Sequence, residues 1–189
     1  MESDKAIIFD FFGVICSEIA PPWFNKHFGE EKSEGLKDFY FKPFDLGQIK
    51  EDELMNNLAN ITHTTPGQVN TEFQQLIKIN SELVELIKKF KSGYKIALCS
   101  NGGSNFVRKI IEDNELKNLF DIVVISSEYG VVKPDIKIYE IVLEKLSLKP
   151  ENCIFVDDNN FNIKIAEQIG MKGIIYSNVS DISIINYEK

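Results

Sequence analysis

The chain has 189 residues, of which 43% are hydrophobic and 26% charged, a balance that suits one folded core with a modest insertion and sets aside global disorder. A net charge of -8, with Arg108 the only arginine, argues against nucleic acid as a partner, because phosphate backbones are gripped by clustered Lys and Arg. Cys16, Cys99 and Cys153 form no CxxC pair and sit in apolar runs, so they read as buried thiols in a reducing compartment rather than a disulfide framework.

The polar start MESDK and the short apolar run after it fit neither a signal peptide nor a membrane span, which makes a cytoplasmic protein with no membrane partner the expectation. Residues 6–11 read as a first strand. Residues 17–80 follow with Pro21-Pro22, the aromatics Trp23, Phe24, Phe28, Phe39, Tyr40, Phe41 and Phe44, and helix-like stretches at 51–58 and 68–79; a small helical cap domain is the simplest account. Within it the run 39–44 reads as cap core, whereas the turn 45–50 and Trp23 are expected to face a site. His27 and His63 stand apart without further ligands at zinc spacing. Ser81 then reads as the N-cap of a helix ending at Gly93.

From there strands alternate with helices: apolar runs at 95–99, 121–125, 153–156 and 173–176, and helical spacing at 105–112, 136–146 and 163–169. Continuously apolar strands linked by crossover helices predict an α/β fold, a doubly wound, Rossmann-like parallel sheet with the helical cap inserted after the first strand. The predicted division is a core domain of residues 1–16 and 81–189 and a cap of residues 17–80.

Ligands of such sheets bind beyond the carboxyl ends of the strands, so polar residues closing apolar runs carry weight. Asp10 closes the first run, Ser100-Asn101 the second, Lys133 follows the third in the loop 130–135, and Asp157-Asp158 closes the fourth. Neighbouring carboxylates repel unless a cation lies between them, and Mg2+ is the simplest resident. A hydroxyl, backbone N–H groups before a helix and a lysine are the donors a phosphoryl group needs. Taken singly each is an ordinary turn or cap residue; four in order at successive strand ends predict a phosphate-and-magnesium site.

These residues lie in segments that resemble, in order, the four motifs of the haloacid dehalogenase-like superfamily: IIFDFFGVI, ALCSN, GVVKPDIKIYE and CIFVDDNNFNIKIAEQIGM. The resemblance spans nearly the whole chain and points to its phosphatases with a helical cap after the first strand. It implies that Asp10 is the nucleophile, that Ser100, Asn101, Gly102 and Lys133 bind the phosphoryl group, and that Mg2+ is held by Asp10, Asp158 and the backbone carbonyl of Phe12, with Asp157 and Asn162 orienting that shell. The implied partner is a small phosphorylated metabolite, with sugar phosphates the suggestion from related capped enzymes.

Phe12 departs from the pattern, because the family's phosphatases usually place there a second Asp that acts as general acid and base. Proton transfer of that kind typically contributes about 10²- to 10⁴-fold. The departure leaves two other functions open. One is a 2-haloacid dehalogenase, whose relatives carry an aromatic residue at this position, although they usually present a cap arginine that this chain lacks. The other is a catalytically weak member that binds a phosphometabolite or a protein.

Overall fold

The computed structural model describes residues 3–185; Met1 and Glu2 of the polar start and residues 186–189 of the expected core segment lie outside them. Strands β1 (Ala6–Phe9), β2 (Lys95–Ser100), β3 (Ile122–Ile125), β4 (Cys153–Asp157) and β5 (Lys172–Ile175) form one parallel sheet in the order β3-β2-β1-β4-β5. This is the predicted Rossmann-like α/β fold, with strand ends shifted by one or two residues from the apolar runs. The first strand stops at Phe9 rather than Phe11, because the Phe11 carbonyl turns to accept the N–H groups of Ile15 at 2.9 Å and Cys16 at 2.8 Å.

Four helices form the insertion that follows β1: α1 (Ala20–Phe28), α2 (Glu30–Asp45), α3 (Glu51–Thr62) and α4 (Pro66–Leu76). They are followed by α5 (Ser81–Phe90), α6 (Ser104–Asp113), α7 (Ile136–Leu146) and α8 (Asn160–Gln168). None of the helices among the described residues is long and apolar enough to cross a membrane.

The strands are apolar on both faces because helices cover both. Ala6 and Ile8 pack with Ala97, Cys99 and Phe155 against α7 and α8. Ile7 and Phe9 join a second cluster that runs from Ile96 and Leu98 through Val84 and Ile87 of α5 and Phe106 of α6 to Trp23, Phe24, Leu54 and Phe73 of the inserted helices. Burying each such large side chain contributes about 1.5–3 kcal/mol. The three cysteines are free and buried, and burial pushes the Cys99 thiol up to about 12.

Local chemistry sets several helix ends away from their predicted places. Helix α4 starts at Pro66, two residues before residue 68, because Thr65 forms a capping box: Gln68 N–H donates to its hydroxyl at 3.2 Å and Thr65 N–H donates back to Gln68 Oε1 at 3.0 Å. Helix α5 is capped by Asn80 rather than Ser81, since Asn80 Oδ1 accepts Leu83 N–H at 3.1 Å, and it closes at Phe90, ahead of Gly93. Helix α3 continues past residue 58 to Thr62, where His63 takes a left-handed φ of 54°.

Trp23 does not face a site. Its ring is fully buried among Phe24 and Phe73, and its Nε1 donates to Glu72 at 2.6 Å. Lys26 Nζ, at 2.6 Å, and His27 Nε2, at 2.7 Å, meet the same carboxylate, so Glu72 of α4 gathers three side chains of α1. Those contacts hold the Glu72 carboxyl down at about 2, against a burial cost that pushes it up.

Candidate active site

Asp10 is fixed by the sheet. Its N–H donates to the Val156 carbonyl at 2.9 Å, continuing the β1–β4 register by one residue, and the chain then turns away and leaves the carboxylate at the strand end. Oδ1 accepts Phe11 N–H at 2.6 Å and Lys133 Nζ at 2.7 Å; Oδ2 accepts no hydrogen bond from the described residues. Lys133, buried, also reaches Asp157 Oδ2 at 2.7 Å. Its backbone is clasped by one side chain: Lys133 N–H donates to Asn101 Oδ1 at 2.8 Å and Asn101 Nδ2 donates to the Lys133 carbonyl at 3.1 Å.

Asp157 has no exposed surface and is saturated by donors. Besides Lys133 it accepts Asn162 Nδ2 at 2.9 and 3.0 Å and Asn159 N–H at 2.8 Å. It therefore positions the lysine and the start of α8. Asp158 turns the other way, and its carboxylate lies against Gly13, whose φ of 81° and missing side chain make room for it.

One carboxylate oxygen from each of Asp10, Asp157 and Asp158 lies within 4.8 Å of the other two. Burial raises Asp10 well above the usual carboxylate range; Lys133 opposes that rise, and Asp157 and Asp158 add to it. Partial enclosure, with Glu18 and Asp157 nearby, raises Asp158 to about 6. Burial works against charge on Lys133, but Asp10 and Asp157 outweigh it and hold the ammonium protonated. When all three carboxylates are ionised they leave a negative excess against the one ammonium, and a set of hard oxygen donors with that excess fits a cation such as Mg2+. The Phe12 carbonyl fits too, since it accepts no hydrogen bond from the described residues.

The residues predicted for the phosphoryl group divide. Asn101 and Lys133 line a cleft of about 380 Å³ together with Asp10, Phe12, Asp158 and Asn162. Ser100 is fully buried beneath it, and its hydroxyl donates to the Asn101 carbonyl at 3.1 Å. Gly102 lines the cleft, but its amide is spent, donating to Ser126 Oγ at 3.0 Å. Ser126 itself escaped the sequence analysis, although it directly follows β3 and strand-end position would have marked it.

The opposite wall comes from the inserted helices. Phe41 and Phe44, read from the sequence as cap core, line the cleft beside Lys37, Lys42 and Asp45. The end of α2 is held there because Ser126 Oγ donates to the Asp45 carbonyl at 2.6 Å and the Phe44 ring lies where a side chain on residue 103 would stand, which is why Gly103 has none. Burial raises the Asp45 carboxyl to about 7; Lys37 opposes the rise while Glu18 and Asp38 add to it. Arg108 stands outside the cleft, half exposed and paired with Glu128 at 2.7 Å.

A family model described as haloacid dehalogenase-like hydrolase matches residues 7–176. Among curated proteins, the chain is 26% identical to a sesquiterpene phosphatase of Aspergillus oryzae over 90% of this chain and 88% of that one. It is 24% identical to a phosphorylated carbohydrates phosphatase of Thermotoga maritima over 92% and 86%. Among solved structures it resembles a HAD family enzyme of Bacteroides thetaiotaomicron in complex with magnesium and inorganic phosphate, with TM-score 0.78, 21% identity, and coverage of 92% of this chain and 94% of that one.

Proposed function

Because the chain belongs to the haloacid dehalogenase-like hydrolases, we propose that it hydrolyses small phosphate monoesters with Mg2+, through an aspartyl-phosphate formed on Asp10. The observation that carries this reading is the division of labour within Asp10: Oδ1 is pinned by Lys133 and Phe11 N–H while Oδ2 is left without a protein donor. An oriented oxygen at a strand end, beside an ammonium, is the arrangement a phosphoryl acceptor needs.

Oδ2 attacks phosphorus, and the ester oxygen departs with its electron pair. Water then cleaves the acyl phosphate and restores the carboxylate. Lys133 offsets phosphoryl charge, Asn101 fixes the lysine backbone, and Asp157 with Asn162 holds its ammonium in place. Bound by Asp10, Asp158 and the Phe12 carbonyl, Mg2+ would supply Lewis-acid neutralisation of the same charge. The phosphatase relatives support a phosphorylated substrate, and the carbohydrate phosphatase among them keeps sugar phosphates in the panel to be tested. Residues 17–80 would act as the cap over this site, with Asp45 at its face.

The test is phosphate release from aryl and sugar phosphates with Mg2+ or with chelator. Asp10→Asn should lower Mg2+-dependent release by at least about 10³-fold in a folded protein; retained release removes Asp10 from the mechanism. Phe12 favours a second reading, a 2-haloacid dehalogenase, and halide release from 2-haloacids without metal would establish it. The position of the single arginine outside the cleft weighs against it.

A further inference from the structure

The cleft carries four phenylalanines among its charged residues. Phe12, two residues beyond Asp10, stacks on Phe106 of α6 with ring centroids 6.4 Å apart and planes at 25°. The edge of the Phe12 ring also lies over Gly102, 3.5 Å from where a side chain there would begin. Across the cleft, Phe41 and Phe44 of α2 meet edge to face at 6.3 Å. All four rings line the same cavity as Asp10 and Lys133. An aromatic ring placed against these phenylalanines would bury apolar surface and stack, whereas a hexose or glycerol group there would lose hydration at every hydroxyl that Lys37, Lys42 or Asp45 does not reach.

Phe12 also cannot give a proton. An ester whose oxygen must leave unprotonated departs far more readily as a phenolate, the base of an acid of pKa about 10, than as an alkoxide close to water at about 16. The aromatic residues of the lining and the missing acid at Phe12 thus favour the same kind of leaving group. Building on the phosphatase reading above, we propose that the preferred substrate is the phosphate monoester of an aromatic hydroxyl, its ring packed against the phenylalanines that line the cleft, Phe12, Phe41, Phe44 and Phe106.

In the first step a bond forms between Asp10 Oδ2 and phosphorus as the bond from phosphorus to the aryl oxygen breaks, and that oxygen leaves as a phenolate. In the second, water adds to the aspartyl-phosphate, which returns the Asp10 carboxylate and dihydrogen phosphate. One proton then passes from dihydrogen phosphate to the phenolate, so the products are the phenol and hydrogen phosphate.

The experiment compares kcat/KM for 2-naphthyl phosphate, phenyl phosphate, a hexose 6-phosphate and glycerol 3-phosphate, all with Mg2+. The two aryl esters have similar leaving groups and differ in apolar area, so their ratio isolates packing. We expect naphthyl to exceed phenyl by about tenfold and the two alkyl esters by at least about 10²-fold. Phe12→Asp should shrink the naphthyl-to-hexose ratio by at least about tenfold; should that variant misfold, the wild-type ratios decide alone. Equal rates on naphthyl and phenyl phosphate, or preference for the alkyl esters, overturn the proposal while leaving the phosphatase intact. Efficient alkyl turnover lost in Asp45→Asn overturns it in favour of a proton from Asp45. Absence of Mg2+-dependent release from every ester overturns both this proposal and the function it rests on.

Discussion

At Gly13 two constraints coincide. The loop after β1 needs a φ of 81° there, and the Asp158 carboxylate occupies the space that a side chain would take. Replacement by alanine must strain the backbone and displace the Asp158 carboxylate at once. Gly13→Ala should therefore raise the Mg2+ concentration for half-maximal phosphate release by at least about tenfold, since 1.4 kcal/mol is a factor of ten and backbone strain of this kind costs about 1–3 kcal/mol. A Mg2+ titration of the variant's activity checks this. In sequence, Asp10, Asn101, Lys133 and Asp157-Asp158 were legible because they close apolar runs, and strand ends in a parallel sheet converge. What sequence could not show is which way each group is turned. The Ser100 hydroxyl is satisfied by the neighbouring Asn101 carbonyl and the Gly102 amide by Ser126, and both depend on local geometry that motif order does not encode.

Among the elements, α1 and α4 are joined by Glu72, which accepts Trp23 Nε1, Lys26 and His27. Its carboxyl sits at about 2 in the fold against an ordinary 4.5, so its stabilising charge is complete above about pH 4.5 and is lost as pH falls toward about 2. Glu72→Gln should lower stability by about 1–3 kcal/mol at pH 7, with the difference from the parent shrinking across that acid window; urea melts at pH 7, 4 and 2.5 measure it. Helix α7 was readable end to end from the apolar spacing of residues 136–146, and in the structure Asp135 caps its start while Ser147, in a left-handed conformation, closes it. Helices α1 and α2 were not delimited, because Gly29 separates them with hardly a break and Pro43 sits inside the second. The contacts at Glu72 join residues far apart in sequence, so neither Trp23 nor His27 announced its partner.

For the molecule as a whole, one hydrophobic cluster runs from the sheet through α5 and α6 into the inserted helices. Stability gained at the carboxylates is therefore shared by the fold that positions them. A ligand that binds only the folded protein stabilises it by about 2.7 kcal/mol at a hundred times its Kd. Mg2+ should accordingly raise Tm in a concentration-dependent way, and Asp158→Asn should abolish that rise; calorimetry with and without chelator reads both. The net charge of -8 means that a phosphate dianion gains attraction only locally, near the lysines that line the cleft, not at long range.

The contact of Ser126 with the end of α2 has a further consequence, one of time. Gly102 N–H donates to Ser126 Oγ, and Ser126 in turn donates to the Asp45 carbonyl at 2.6 Å, so a single hydroxyl spans the seam between the β2–α6 loop and the helix that walls the cleft. Any outward swing of α2 must break that link and lift Phe44 from Gly103. Such gating belongs to the microsecond-to-millisecond range, where product escape commonly governs turnover. Ser126→Ala should therefore loosen the α2 end of the cleft wall while leaving the contacts of Asp10 and Lys133 in place.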